Sequence, residues 1–380
     1  MTPGARVAAA IGVLDLTLAG MAAEQALTNW ARGSRYAGSG DRAAVRDLVF
    51  GALRCRRSYA ALGGSETGRG LMIGAMHAAG DPPAAWFTGQ GHGAAVLTDA
   101  EQRPGAVSGL AELDCPDWLG PELQASLGAD FGPVMRALQG RAPVFLRVNL
   151  RRATPAQAQA ALAQDGITAR PHALAKTALE VTGNARKIQT SRAYLDGLVE
   201  LQDAASQAIL HGLAAPGMRV LDYCAGGGGK ALALAAMGAQ VWAHDADPRR
   251  MRDLPARAAR AGVTIPLLER VTGVFDLVVL DVPCSGSGSW RRSPEGKWAL
   301  CAERLAELLR IQAEILDIAM GYAGKAGKVL YSTCALLDRE NAGQIRAFVQ
   351  RHPAWRVQWQ RRLTPLDGGD GFYAALLTRE

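Results

Sequence analysis

Two short apolar runs that turn polar at their carboxyl ends stand out in the hydrophobic pattern of this chain. Residues 277–280 (LVVL) are continuously apolar, the pattern of a parallel strand buried on both faces. Asp281 and Cys284 follow at once, within LVVLDVPCSGSG. Residues 328–334 (KVLYSTC) repeat the arrangement, a second strand that delivers Cys334 at its end. Between them, Leu305, Leu308, Leu309, Ile311, Ile315 and Leu316 recur at near-helical spacing, which predicts the crossover helix a parallel pair requires. If the two strands are neighbours, Cys284 and Cys334 face one crevice at the carboxyl edge of a sheet, where open α/β folds bind ligands.

The pattern predicts further strands upstream. Residues 219–222 (RVLD) are followed by Cys224, Ala225, four glycines at Gly226, Gly227, Gly228 and Gly229, then Lys230 and an Ala/Leu-rich helix. Strand, glycine loop and helix make a nucleotide-type turn, whose missing side chains let the backbone approach a ligand. The phosphate-loop motif is excluded by Cys224 and Ala231, where it needs Gly and Ser or Thr. The next strand, 240–243, ends in His244 and Asp245, and an acidic residue there is the usual acceptor for ribose hydroxyls. Asp247 competes, although its position before Pro248 suits a helix cap. The strands at 278–284 and 329–334 complete an expected doubly wound parallel sheet over residues 201–380.

The earlier chain reads differently. Val7, Ile11, Leu14, Leu18 and Met21 repeat at helical spacing, so residues 7–14 are read as amphipathic helix rather than signal peptide. Residues 1–112 are expected to be all-helical, with a dense patch at 41–59 (DRAAVRDLVFGALRCRRSY). Its Arg54, Arg56 and Arg57 suit either a helix end or phosphate. Residues 113–200 suggest a helical linker and a small α+β unit, with strands at 144–150 and 178–181. Arg147, Arg151, Arg152, Arg186, Lys187 and Arg192 would give that unit one positive face, unless they are scattered surface charge.

The net charge of +7 favours an anionic partner such as nucleic acid. The six cysteines show no CxxC pair, so neither a metal site nor a disulfide framework is expected, and free thiols suit a reducing cytoplasm. No apolar run reaches membrane-spanning length.

Glycine loop, acidic strand end and an Asp-Val-Pro-Cys turn together suggest an S-adenosylmethionine methyltransferase. A cysteine in that turn suits methylation of a pyrimidine carbon, because C5 of cytosine is a poor nucleophile until a thiolate adds to C6. Two cysteines on adjacent strand ends narrow the reading. Through LDYCAGGGGK from Leu221, HDADPRRM from His244, LDVPCSGSGSWRRSPEGKW from Leu280, YSTCALLDRENAGQI from Tyr331 and GDGFYAALL from Gly369, the chain resembles the RNA 5-methylcytosine methyltransferases of the Sun/Fmu group. LQDAASQ from Leu201, FLRVN from Phe145 and DRAAVRDLVFGALR from Asp41 extend the resemblance to the N-terminus.

The resemblance implies a Rossmann-like methyltransferase sheet preceded by a small α+β RNA-binding unit and an all-α NusB-like domain. It implies an RNA cytosine-C5 methyltransferase acting on small-subunit ribosomal RNA, with transfer RNA or a non-catalytic ribosome-assembly role as alternatives. Cys334 is the implied nucleophile, Cys284 promotes product release, and Asp281 holds the polar edge of the base. Cys224 to Lys230 and Asp245, with Asp281 beside them, are implied to hold S-adenosylmethionine. A monomer with an RNA partner is expected. Two departures stand out: Gly226 and Gly227 replace the usual Ala-Pro, which predicts a floppier loop, and residues 264–275 offer only Glu269 where the family has an Asp on its third strand.

Overall fold

The computed structural model describes residues 1–379. The chain forms two compact units, Met1–Arg141 with Trp290–Ala299, and Ala142–Ser289 with the chain from Leu300 onward. Among the described residues no helix is long and apolar enough to cross a membrane.

The first unit is helical. Helix Pro3–Leu18 starts at a Thr2 cap, whose Oγ1 accepts from the Ala5 amide, and buries Val7, Ala10, Val13 and Leu14. The patch at 41–59 becomes two helices, Ser39–Arg54 and Arg56–Gly63, broken at Cys55. Asp114 supports the second start, because its buried carboxylate accepts from the amides of Arg57 (2.8 Å) and Ser58 (2.9 Å). The arginine cluster is committed internally: Arg54 donates to the Arg291 carbonyl, Arg56 pairs with Glu66, and Arg57 forks onto Asp117 at 2.7 Å. Lys297 and Trp298 donate to the carbonyls of Arg54 (2.9 Å) and Leu53 (2.6 Å), closing the end of helix Ser39–Arg54. Trp290–Ala299 thus belongs with the helical unit.

The second unit holds ten strands among the described residues. They are β1 (Val144–Val148), β2 (Thr168–Pro171), β3 (Ala178–Gly183), β4 (Val199–Leu201), β5 (Arg219–Asp222), β6 (Gln240–Ala243), β7 (Phe275–Asp281), β8 (Ala323–Thr333), β9 (Trp355–Leu363) and β10 (Phe372–Arg379). The first four form an antiparallel sheet in the order β2-β3-β1-β4. Helix Pro155–Gln164, opened by a Thr154 and Gln157 capping box, buries Ala158 and Leu162 in the same core.

Arg147 does not join the expected positive face. Along β1 it alternates with Leu146 and Val148, but its own face is covered too, and it is 4% exposed. Its guanidinium turns inward to Gln202 (2.6 Å) and the Gly229 carbonyl (2.7 Å). Arg151, Arg152, Arg186, Lys187 and Arg192 remain exposed.

The remaining strands form a six-stranded sheet in the order β6-β5-β7-β8-β10-β9. The expected parallel arrangement holds for β6, β5, β7 and β8, and the sheet then finishes in an antiparallel β9–β10 hairpin. A separate strand over 264–275 does not form: that segment makes one bridge, Ala243 to Leu267, before β7 begins at Phe275. Leu277, Val278, Val279 and Leu280 are each no more than 1% exposed, and burial of such side chains stabilises by roughly 1.5–3 kcal/mol apiece. Helix Ala302–Ala319 is the crossover, packing Leu305, Leu308 and Leu316 inward.

Candidate functional site

The register of β7 on β8 pairs Asp281 with Ser332. From there the chain runs three residues to Cys284 and two to Cys334, so parallel pairing alone brings the two turns level. The Gly288 amide donates to the Cys334 carbonyl (2.9 Å) and ties the turns together. The two sulfurs stand 3.5 Å apart, both half-buried. The Cys284 thiol is pushed up by its hydrogen bond with Cys334, by burial and by the nearby Glu340 carboxylate. It therefore keeps its proton at neutral pH.

A cavity of about 310 Å³ opens at the carboxyl ends of β5 and β7, lined among others by Asp203, Asp222, Cys224, Gly227, Lys230 and Asp281. Lys230, 5% exposed, bridges to Asp281 at 2.6 Å from the first turn of helix Gly229–Ala236. Cys224 lies on the cavity wall, where burial raises its thiol far above the usual range, so it is a wall group and not a nucleophile.

The glycine loop is anchored, contrary to the expected floppiness. The Gly226 amide donates to Asp245 (2.8 Å), the Gly228 amide to the Ala225 carbonyl (2.8 Å), and Arg257 and Arg147 donate to the carbonyls of Gly227 and Gly229. Gly228 has φ +77°, and a Cβ there would meet Leu254 at 2.2 Å, so only glycine fits. A Cβ on Gly227 would meet the Arg257 guanidinium at 2.8 Å, so an arginine contact restrains this part of the loop.

Asp245 stands behind the cavity wall, 4% exposed, with its oxygens accepting from Gly226 and Asp247 and pairing with Arg250 at 3.3 Å. A carboxylate offers about four acceptor sites, so capacity for a hydroxyl donor remains. Asp247 caps the 3₁₀ turn at Pro248–Met251, as its Asp-Pro order suggested. Glu269 is exposed and does not line the cavity.

The sequence reading missed Asp222. It ends β5 and lines the cavity at 1% exposure, and neither of its oxygens receives a hydrogen bond of ordinary geometry. Burial raises its pKa to about 7, with Lys230 pulling the other way and Asp281 adding to the rise. An acidic residue directly before a glycine loop was the available signal.

These groups fit S-adenosylmethionine, which carries an ammonium, a sulfonium and a carboxylate. Asp222 is an orphaned buried carboxylate facing the cavity, Asp203 and Asp281 add negative lining, and Arg250 and Arg257 add positive lining near the loop.

Residues 213–378 match the family model described as 16S rRNA methyltransferase RsmB/F, and residues 115–188 match the ferredoxin-like domain of RsmF/B-like methyltransferases. The ribosomal RNA small subunit methyltransferase B of Vibrio cholerae is 34% identical over 286 residues, covering 70% of this chain and 65% of that protein. Its counterpart from Xanthomonas campestris is 33% identical over 313 residues, covering 75% and 71%. In fold, the chain is similar over its whole length to the crystal structure of PH0851, with a TM-score of 0.80 at 22% identity and 99% of that chain covered. A methyltransferase homolog protein from Pyrococcus horikoshii matches 71% of this chain and 97% of its own, with a TM-score of 0.63 at 22% identity. The two cysteine turns therefore sit in a lineage as well as a geometry, and the chain belongs to the 16S rRNA methyltransferase RsmB/F family.

Proposed function

We propose that this protein methylates C5 of a cytosine in small-subunit ribosomal RNA, using S-adenosylmethionine as methyl donor. The observation that carries the reading is the pair of sulfurs 3.5 Å apart at neighbouring strand ends, on a sheet edge where Asp281 also lines a cavity that holds the orphaned Asp222 carboxylate. Cys334 supplies the thiolate that adds to C6 of the cytosine, which makes C5 nucleophilic. S-adenosylmethionine supplies an electrophilic methyl group, and forming the C5–methyl bond breaks the bond from that methyl to sulfur. The C5 proton then leaves to a base, the C6–sulfur bond breaks, and Cys334 regains its electron pair. Cys284, protonated and within hydrogen-bond reach, serves the release half. Asp281 orients the polar edge of the base, steadied by Lys230.

Cys224 to Lys230 and Asp245 hold the cofactor in this reading, and Asp222 joins them through its charge. In this reading residues 1–112 serve as a NusB-like helical domain, 113–200 supply a helical linker and the small α+β RNA-binding unit, and 201–380 hold the catalytic sheet; the protein works as a cytoplasmic monomer. Methyl transfer from labelled cofactor to ribosomal and transfer RNA, read with bisulfite sequencing of a deletion strain, tests the whole. One cytosine losing its methyl group in small-subunit RNA supports the reading. A loss confined to transfer RNA moves the substrate, and no transfer to either RNA ends the proposal.

The exposed arginines in the turn after β1 carry a separate expectation. Charge reversal of both Arg151 and Arg152 should weaken RNA binding roughly tenfold near physiological salt and lower the slope of log affinity against log salt by about two. Cofactor affinity should not move. Filter binding across a salt series reads both, and an unchanged slope would place the RNA elsewhere.

A further inference from the structure

We propose that Glu340 and Asn341 are positioning residues, a two-residue clamp that sets the separation of the Cys284 and Cys334 sulfurs. The inference rests on the methyltransferase reading for its kinetic part only. Both side chains are buried, at 0% and 3% exposure, just past β8 within the DREN stretch.

Each residue serves one thiol. The Glu340 carboxylate accepts from the Ser285 amide (2.7 Å), from the Ser285 hydroxyl and from Gln312 Nε2 (3.1 Å), holding the residue next to Cys284. The same Gln312 amide group donates to the Pro283 carbonyl (2.9 Å), so Cys284 is fixed on both sides. Asn341 Oδ1 accepts from Thr333 Oγ1 (2.6 Å), and its Nδ2 donates to the Ala335 carbonyl (2.9 Å). Cys334 is thus gripped through both neighbours by one amide. Ser287 closes the circuit, its hydroxyl oxygen accepting from the Leu336 amide (2.8 Å) and lying 3.0 Å from the Ser285 hydroxyl oxygen, to which its own proton can be given. Tyr331 OH donates to the Glu340 carbonyl (2.6 Å) and pins the clamp to β8.

A buried carboxylate with several donors and a buried amide bonded at both ends are costly to assemble, because each group left unsatisfied loses its full desolvation energy. In an ordinary strand-to-helix turn, apolar residues would suffice. Here the Glu340 and Asn341 side chains both bond to residues that flank a thiol, Ser285 on one side and Thr333 and Ala335 on the other.

The division predicts a division of effects. Asn341→Asp keeps the acceptor for Thr333 but has no N–H for Ala335, so single-turnover addition to RNA should slow. Glu340→Ala releases the Cys284 turn, so addition should persist while resolution of the adduct slows. In both, kcat should fall about 100-fold, the cost of misplacing a reacting group by about 1 Å, with the KM for RNA and cofactor affinity unchanged. Glu340→Gln keeps the shape, accepting from the Ser285 amide and donating to its hydroxyl, and should restore most of the rate.

Spacing is read without turnover by phenylarsine oxide, whose arsenic forms bonds to two adjacent thiol sulfurs and releases water. Wild type should be bridged, and Cys284→Ala and Cys334→Ala give the background. Glu340→Ala should be bridged about 100-fold more slowly, in parallel with its rate loss. Should Glu340→Ala fail to fold, Ser285→Ala, which removes one Glu340 partner from a half-buried turn, carries the test with a smaller slowing. Bridging at the wild-type rate in the variant so tested overturns the clamp. A wild type that is bridged, and whose bridging needs Glu340, but that methylates no RNA supports the clamp and defeats the methyltransferase reading.

Discussion

Cys284→Ala is expected to leave RNA covalently attached to the protein, whereas Cys334→Ala is expected to yield neither product nor adduct. The difference follows from the order of bond making. Addition to C6 precedes everything else, and a variant without the adding sulfur has no route into the reaction, so its turnover should fall to the assay background. A variant lacking only the second thiol can still add and accept the methyl group, because Cys334 keeps its position through Thr333, Ala335 and the Gly288 amide. What it loses is help with elimination, a proton-transfer contribution of about 10²–10⁴-fold, and the adduct should survive denaturing electrophoresis. The protonated state of Cys284, held by its neighbour, burial and Glu340, agrees with that role. If Cys334→Ala trapped RNA and Cys284→Ala did not, the two roles would be exchanged.

The two thiols were legible because a parallel strand pair converts sequence into geometry. Once 277–280 and 328–333 are neighbours in parallel register, any residues two and three positions beyond the paired ends meet. Cys224 to Lys230 were legible for a similar reason, since strand, glycines and helix permit few conformations. The glycine loop's rigidity was not legible, because its restraints come from Arg147 and Arg257, which are distant in sequence. Arg147 itself misled: on a half-exposed sheet it would face water, but here the other face of β1 is covered as well. Trp290–Ala299 carries no pattern that marks it as part of the helical unit; Lys297 and Trp298 act there as a helix cap supplied from about 240 residues away. The β9–β10 hairpin was hidden because GDGFYAALL was read as a motif, although FYAALL suits a strand buried on both faces.

Asp222→Asn is expected to stabilise the protein measured without cofactor at alkaline pH while weakening cofactor binding, a pairing that separates this carboxylate from a structural one. Its folded pKa of about 7 lies above the ordinary 3.8. Between those values the folded protein keeps a proton that the unfolded chain has released, so stability falls as pH rises through the window from about 4 to 7. Above it the folded state bears the full penalty, roughly 4 kcal/mol at most from a difference of about three pKa units. The neutral amide bears none, so thermal unfolding of the variant should depend less on pH from 5 to 8 and should occur at a higher temperature at pH 8. Binding should move the opposite way. A carboxylate facing the ligand's cationic groups contributes a charge-assisted hydrogen bond, and its loss should raise the cofactor Kd roughly 10- to 100-fold. In the wild type, cofactor binding should release a proton from Asp222 near pH 6, which calorimetry in buffers of different ionisation enthalpy detects and the variant should not show. Cofactor bound equally tightly by both proteins, with equal proton release, would place the ammonium at Asp203 or Asp281 instead.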